Sequence, residues 1–212
     1  MSILATQSED PLSEHQAEKA CFAAVARNRR LRFRALFLTC CLLRALFAFQ
    51  FSEARAQTVS HEYPLKAVFL LNFARFTAWP TNAFSSEDSP FVVGILGHNP
   101  FGSLMEQTVR GEKINHHKIV LETYKNVGDI THCNMLFITQ SEAGLLPEIV
   151  RTLKARPILT VADLPDAAAN GVCVQFVTEN NKIRFRVNIN SVKEAHLSMS
   201  SELLRLAEIV SD

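Results

Sequence analysis

Residues 91–161 alternate short apolar runs with amphipathic segments, and this alternation constrains the fold more than any other feature. Continuous apolar runs bounded by turn residues are typical of strands buried on both faces. The amphipathic segments 99–109 and 141–155 predict helices, the second with Ser141 as its N-cap. Strands that alternate with helices predict βαβ units and a mainly parallel sheet. The predicted strands are FVVGILG (91–97), KIVLETY (118–124), NMLFIT (134–139) and PILTV (157–161).

The segment YPLKAVFLLNFARFTAWP, residues 63–80, predicts a helix before the first of these strands. Pro64 suits a first helical turn, and Pro80 ends the helix because the residue before a proline leaves the α region. The apolar stripe is too short, and too interrupted by charge, to span a bilayer. A stripe this wide must be covered by the protein's own sheet or by a partner. We expect the core to cover most of it, with Arg75 and Trp79 as candidate partner contacts.

The C-terminal part changes pattern. GVCVQFV (171–177) and KIRFRVNI (182–189) flank TENN, which predicts a β-hairpin. Arg184, Arg186 and Asn188 alternate along the second strand, so they share one face and form a candidate site for a carboxylate or phosphate. The alternative is a solvated sheet edge whose charges discourage aggregation. One or two helices are predicted after the hairpin, with Ser200 or Ser201 capping the last.

These elements together predict one α/β domain over residues 57–212. We expect a three-layer α/β/α sandwich with a mixed, mainly parallel sheet and a C-terminal hairpin and helix.

Residues 1–56 predict an N-terminal extension and an export signal. A basic cluster at 27–34 precedes an apolar stretch at 35–49, and ARA before Gln57 resembles a signal-peptidase site. Cleavage between Ala56 and Gln57 would release the domain into an oxidising compartment. The alternative is an uncleaved anchor, although the apolar stretch is short for a span that needs roughly 20 residues.

The sequence offers little support for an enzyme or for nucleic-acid binding. Its 22 Lys and Arg against 21 Asp and Glu give no basic excess of the kind that nucleic acid needs. No G-x-S-x-G motif, P-loop or metal-ligand spacing is present, so we predict no catalytic residue, metal or cofactor. Gly94, Gly97 and Gly102 surround a strand-to-helix junction, and a tight turn is the simpler interpretation.

Cys133 and Cys173 are the cysteines that remain after the predicted cleavage. Each lies in an apolar strand, so the pair forms one disulfide or stays as two buried thiols. The residues alone leave both alternatives open.

Four stretches together resemble the YfiR-like family of periplasmic proteins. They are KAVFLLNFARFTAWP, VVGILGHNPFG, CNMLFITQSE with ARPILTVAD, and NGVCVQFVTENNKIRFRVNINSVKEAHLSMSSELLRLA. The resemblance implies a non-catalytic periplasmic regulator. Such a protein binds and represses the periplasmic sensor domain of an inner-membrane diguanylate cyclase, and so controls cyclic-di-GMP signalling and biofilm formation. The resemblance also implies a homodimer and relief of repression by an outer-membrane lipoprotein.

The resemblance bears on the cysteines and on an alternative function. Family members often have a cysteine at the position of Cys133, but FVVGIL has none to pair with it, so Cys133 and Cys173 would have to form the bridge. The alternative function is a periplasmic module that holds a small anion on Arg184 and Arg186 and feeds a sensor kinase or cyclase. An exported enzyme with a dispersed site is the other alternative.

Overall fold

The computed structural model describes residues 62–210, so the predicted export signal and the Ala56–Gln57 cleavage site lie outside the described residues. Helix α1 covers 62–75. The later helices are α2 (Leu104–Val109), α3 (Leu146–Leu153), α4 (Ile189–Glu194) and α5 (Ser201–Leu204). The strands are β1 (Thr77–Ala78), β2 (Phe91–Leu96), β3 (Lys113–Ile114), β4 (His117–Tyr124), β5 (Met135–Ile138), β6 (Leu159–Ala162), β7 (Val174–Glu179), β8 (Lys182–Asn188), β9 (Ser198–Met199) and β10 (Glu208–Val210).

Eight of these strands form one mixed sheet, in the order β10-β8-β7-β6-β5-β2-β4-β3. Neighbours from β7 through β4 run parallel, as does β10 beside β8. The β7–β8 and β3–β4 pairs are antiparallel. The predicted α/β class with a mainly parallel sheet and a C-terminal hairpin is therefore confirmed.

The sheet separates two hydrophobic cores. On β5, Met135 and Phe137 belong to one core, whereas Leu136 and Ile138 belong to the other. Successive side chains of a strand point to opposite faces, so the two cores lie on opposite faces of the sheet. Helices α1, α2 and α5 contribute to the first core and α3 to the second. The result is the predicted three-layer arrangement.

The hairpin turn consists of Asn180 and Asn181, both with positive φ (50° and 58°). A two-residue loop with positive φ at both positions is the geometry that suits the twist of β-hairpins, and asparagine tolerates it better than most residues. The turn therefore sets the pairing of β7 with β8.

The C-terminal helix is shorter than predicted. Ser200 caps α5 by accepting a hydrogen bond from the Leu203 N–H, as predicted, but the helix ends at Leu204. Glu208–Val210 instead forms β10, which pairs in parallel with β8. The open edge of β8 offers backbone partners that a helical continuation would leave unused.

Two further boundary predictions were wrong. Helix α1 ends at residue 75 rather than near Pro80, because Thr77 and Ala78 pair with β9. Ser141 is not an N-cap, since a 3-10 helix (Gln140–Leu145) precedes α3. The Ser141 hydroxyl instead accepts a hydrogen bond from the His98 N–H.

Candidate functional site

Helix α1 has a buried inner face and an exposed apolar outer face. The inner face packs against the sheet through Ala67, Leu70, Leu71, Phe73 and Ala74. On the other side Leu65, Val68 and Phe76 are 46%, 47% and 39% exposed. Positions three, four and seven apart fall on one side of a helix, so Leu65, Val68, Asn72 and Phe76 form a stripe that we call the outer face of α1. The core covers the inner face as predicted and leaves this stripe open.

A buried cation holds α1 in place. Lys66 is 0% exposed, although the helix pattern would place it among polar surface residues. Its Nζ lies 2.6 Å from a Glu62 carboxylate oxygen, pairs with Asp163, and sits 5.1 Å from the centre of the Tyr63 ring. Burial raises the pKa of the Tyr63 hydroxyl. Asp163 follows β6, so this cluster ties the start of α1 to the carboxyl end of the sheet.

The two predicted partner contacts at the end of α1 differ in exposure. Arg75 is exposed and forms an ion pair with Glu112. Trp79 is half-buried, donates from Nε1 to the Asn134 carbonyl (3.1 Å) and meets Phe91 edge-on with ring centres 4.9 Å apart. Trp79 therefore anchors the chain after α1, whereas Arg75 remains accessible beside the outer face.

The structure does not bring Arg184, Arg186 and Asn188 together as an anion site. Arg186 donates to Glu208 (3.0 Å) and Arg184 lies 3.7 Å from Glu179. The Glu208 carboxylate raises the pKa of Arg186. Asn188 is fully buried, where it donates to the Ala168 carbonyl and caps α4. The strand alternation correctly placed the arginines of β8 on the face opposite Phe185 and Val187. It could not show that β7 and β10 bring Glu179 and Glu208 beside those arginines.

Cys133 and Cys173 are both free and buried. Cys133 belongs to the core on the α3 side and Cys173 to the core on the α1 side. The two thiols belong to different hydrophobic clusters, and no bridge joins them. Burial raises the pKa of the Cys133 thiol to about 12 and also raises that of Cys173, so both thiols stay protonated near neutral pH.

The Glu142 carboxylate lies beside the glycine turn after β2, at the position that a bound anion would occupy. Gly97 has φ +91°, and a Cβ there would collide with the side chains of Thr139, Ser141 and Glu142. Glu142 accepts a hydrogen bond from the Ser141 hydroxyl. A negative charge beside this turn disfavours phosphate, which agrees with its interpretation as a tight turn.

Residues 62–210 contain no group of three or more His, Cys, Asp or Glu side chains placed to hold a metal ion. No helix within this same range is long and apolar enough to cross a membrane.

A family model described as YfiR/HmsC-like (DUF4154) matches residues 63–208. No curated protein matches the chain. Among solved structures, the chain is similar to an ABC domain in complex with L-Trp from Streptococcus pneumonia, with 8% identity and a TM-score of 0.44 over 57% of this chain and 55% of that one. It is also similar to a 3-hydroxyacyl-CoA dehydrogenase from Archaeoglobus fulgidus, with 10% identity and a TM-score of 0.26 over 57% and 56%. The chain spans about half the length of these structures, and at such TM-scores the likeness carries no argument.

Proposed function

Because the chain belongs to the YfiR/HmsC-like family, we propose that it is a periplasmic repressor of an inner-membrane diguanylate cyclase. Membership of this family implies a regulatory role in general. The finer proposal is that the protein binds the periplasmic sensor domain of the cyclase, lowers cyclic-di-GMP and so restrains biofilm formation. A homodimer and an outer-membrane lipoprotein that relieves repression stay predictions from the same resemblance.

The observation that carries this proposal is the outer face of α1. A partner surface needs apolar side chains that remain exposed on an element that does not move. Leu65, Val68 and Phe76 meet the first requirement. The buried Lys66 cluster and the packed inner face meet the second. We therefore assign the outer face of α1 as the contact with the sensor domain, with Arg75 at its end.

Repression by such a contact is a shift of population. The protein must bind the inactive conformation of the sensor domain more tightly than the active one. A change from 1:99 to 99:1 requires a preference of about 10⁴-fold, or about 5.5 kcal/mol. Because the family is regulatory, the proposed effect on the cyclase comes from this difference in binding free energy and needs no catalytic site.

The anion-binding alternative has less support. Carboxylates from β7 and β10 already occupy the guanidinium groups of Arg184 and Arg186. An incoming anion would have to compete with Glu179 and Glu208 for the same donors.

The test uses a charge placed on the outer face. Val68→Glu is expected to fold normally, since Val68 is 47% exposed, but to lose repression and recovery of the cyclase from solubilised membranes. Leu145→Glu is the matched control, because Leu145 is 53% exposed beside α3, away from α1. The readouts are cellular cyclic-di-GMP and the membrane proteins captured by the tagged chain. Unchanged cyclic-di-GMP after deletion of the gene would overturn the repressor proposal. Full repression by Val68→Glu would overturn only the assigned contact.

A further inference from the structure

One edge of the sheet lacks a neighbour over most of its length. Strand β3 covers β4 only at Lys118 and His117. The register of β4 with β2 covers Ile119 to Tyr124 on the inner side. On the outer side, no strand within residues 62–210 pairs with 119–124. An uncovered strand of this length is a template for a further strand.

The backbone groups of this edge point outward at alternate residues. The Tyr124 carbonyl accepts from the Gly97 N–H, so Tyr124 faces β2. In a strand the N–H and C=O of one residue point to the same side, and successive residues alternate. Ile119, Leu121 and Thr123 therefore direct their N–H and C=O groups away from the sheet. Glu112 lies opposite Ile119 in the continued β3–β4 register, so the edge presents the donors and acceptors of Leu121 and Thr123 to a partner.

A groove lined by both charged and apolar side chains runs beside these groups. Its volume is about 540 Å³, and it lies between the end of α2 and β4. Val109 of α2 and Ile119 and Leu121 of β4 line its wall. Ile119 and Leu121 are only partly buried against the core. A strand added to β4 would send every second side chain toward this groove, because side chains alternate between faces.

The charges around the groove favour an acidic partner. Lys113 and Lys118 are both exposed and directly opposite each other in the β3–β4 register. Like charges in directly opposed positions repel each other. Neither ammonium group has an ion-pair partner within 62–210. Arg110 is a third cation in the groove lining. Of the two acids there, Glu112 forms an ion pair with Arg75, which leaves Glu106.

We propose that β4 binds an extended segment of another protein, which joins the sheet as a ninth strand. The segment would hydrogen-bond to Leu121 and Thr123, place alternate apolar side chains against Val109 and Ile119 in the groove, and bring an acidic residue to Lys113 and Lys118. The proposal goes beyond the proposed function, since it does not require this partner to be the cyclase.

A second copy of the chain fits this edge less well. Antiparallel pairing of two β4 strands centred on Leu121 would place Lys125 of each copy opposite His117 of the other. Lys125 would then lie next to the Lys113 and Lys118 pair, which adds a third like charge to each end. The charges thus select an acidic segment over self-association.

The experiment measures residue-specific amide exchange by NMR on the purified exported chain. The probe is the peptide Glu-Val-Thr-Val-Thr-Val, blocked at both ends. We expect saturating peptide to slow exchange at Leu121 and Thr123 by at least about tenfold. The amides of Val120 and Glu122 already face β2 and should not change. A peptide with Lys in place of Glu should bind at least about tenfold more weakly.

A matched pair of variants tests the backbone bonds. Thr123→Pro removes one outward N–H and no bond of the existing sheet, which an edge strand tolerates. It should abolish peptide binding, whereas Thr123→Val should retain it. The proposal would be overturned if millimolar peptide protected no amide or protected only amides away from β4. It would also be overturned if the Lys peptide bound equally well or if Thr123→Pro bound the peptide unimpaired. Concentration-dependent protection of the Leu121 and Thr123 amides without peptide would overturn it as well, since the edge would then pair with a second copy. Neither peptide experiment contains the cyclase, so its result is independent of the repressor test.

Discussion

The two faces of the central sheet are covered by cores of different composition. The α1 side is packed with aromatic rings, among them Phe73, Phe176 and Phe185, with Phe73 4.9 Å from Phe185 between ring centres. The α3 side has Tyr124 as its buried aromatic residue and otherwise aliphatic and small side chains. Large rings fix α1 from beneath and leave its outer face available, whereas the α3 side depends on close approach at Gly94. The face with the aromatic core therefore also presents the candidate contact surface, the outer face of α1.

The largest effect is expected from Phe73→Ala. Phe73 is 0% exposed and contacts the rings of Phe176 and Phe185. Loss of its ring removes buried area and leaves a cavity, which costs about 3–5 kcal/mol of unfolding free energy. Urea denaturation measures this loss. Phe76→Ala is the control on the same segment, because Phe76 is 39% exposed and should cost less than about 1 kcal/mol. Equal losses would mean that the aromatic core does not hold α1.

The next effect is expected from Lys66→Ala. Removal of the buried ammonium leaves the carboxylates of Glu62 and Asp163 without their shared cation, which should cost about 3 kcal/mol. Arg75→Ala breaks an exposed ion pair on the same helix and should cost about 0.5 kcal/mol. Thermal unfolding of both variants checks the difference. If the two cost the same, burial of Lys66 does not anchor α1.

On the α3 side, Gly94→Ala should be destabilising by about 1–3 kcal/mol. A Cβ at this position would lie 2.6 Å from the Tyr124 ring and 2.9 Å from both Cys133 Sγ and a Leu136 methyl. Gly128→Ala is the control, since nothing lies within 4 Å of its Cβ position. Denaturation midpoints that agree for the two variants would contradict the close packing of this face.

The buried thiols should make the protein lose stability at alkaline pH. Burial raises the pKa of Cys133 from 9.0 to about 12, and the pKa of Cys173 rises for the same reason. A raised folded-state pKa leaves stability complete below about pH 9 and removes it as pH rises toward the folded value. Each thiol contributes up to about 1.4 kcal/mol per pH unit in that window. Urea titrations at about pH 8 and pH 10 measure the slope. Cys133→Ala should reduce it, and an unchanged slope would contradict the assignment.

The smallest effect is expected from a reductant. Because both thiols are free, reduction should leave the unfolding temperature unchanged. A bridge would contribute about 2–4 kcal/mol, which the same measurement would detect as a lower unfolding temperature. A thiol reagent should label both cysteines only after denaturation.

Much of the fold could be predicted because buried strands have a simple pattern. FVVGILG and NMLFIT could be recognised because short continuous apolar runs bounded by turn residues are typical of strands with both faces covered. Helix ends were predicted less well. Thr77–Ala78 and Glu208–Val210 continue helical patterns, but each finds a strand partner far away in the sequence. Local pattern cannot report such pairing.

The candidate site was harder still to predict. Arg75 was a candidate partner contact and is exposed at the end of α1, yet Lys66 gave no signal except a Glu four residues before it. Leu65 and Val68 look like core residues, because the width of an apolar stripe does not show how much of it the sheet will cover. The open edge of β4 depends on where β3 stops, and no motif marks that point.

By itself the sequence determined the α/β class, the order along the chain of the six longer strands, the alternation of faces on β8 and the resemblance to the YfiR-like family. These follow from periodicity and from residues close together in the chain. Tertiary structure decided that Cys133 and Cys173 are buried as free thiols, that the Glu208 carboxylate pairs with Arg186, and that Lys66 is buried between two acids. Each of these depends on which distant segments the sheet brings side by side, and hydrogen-bond register and packing determine that arrangement rather than local composition.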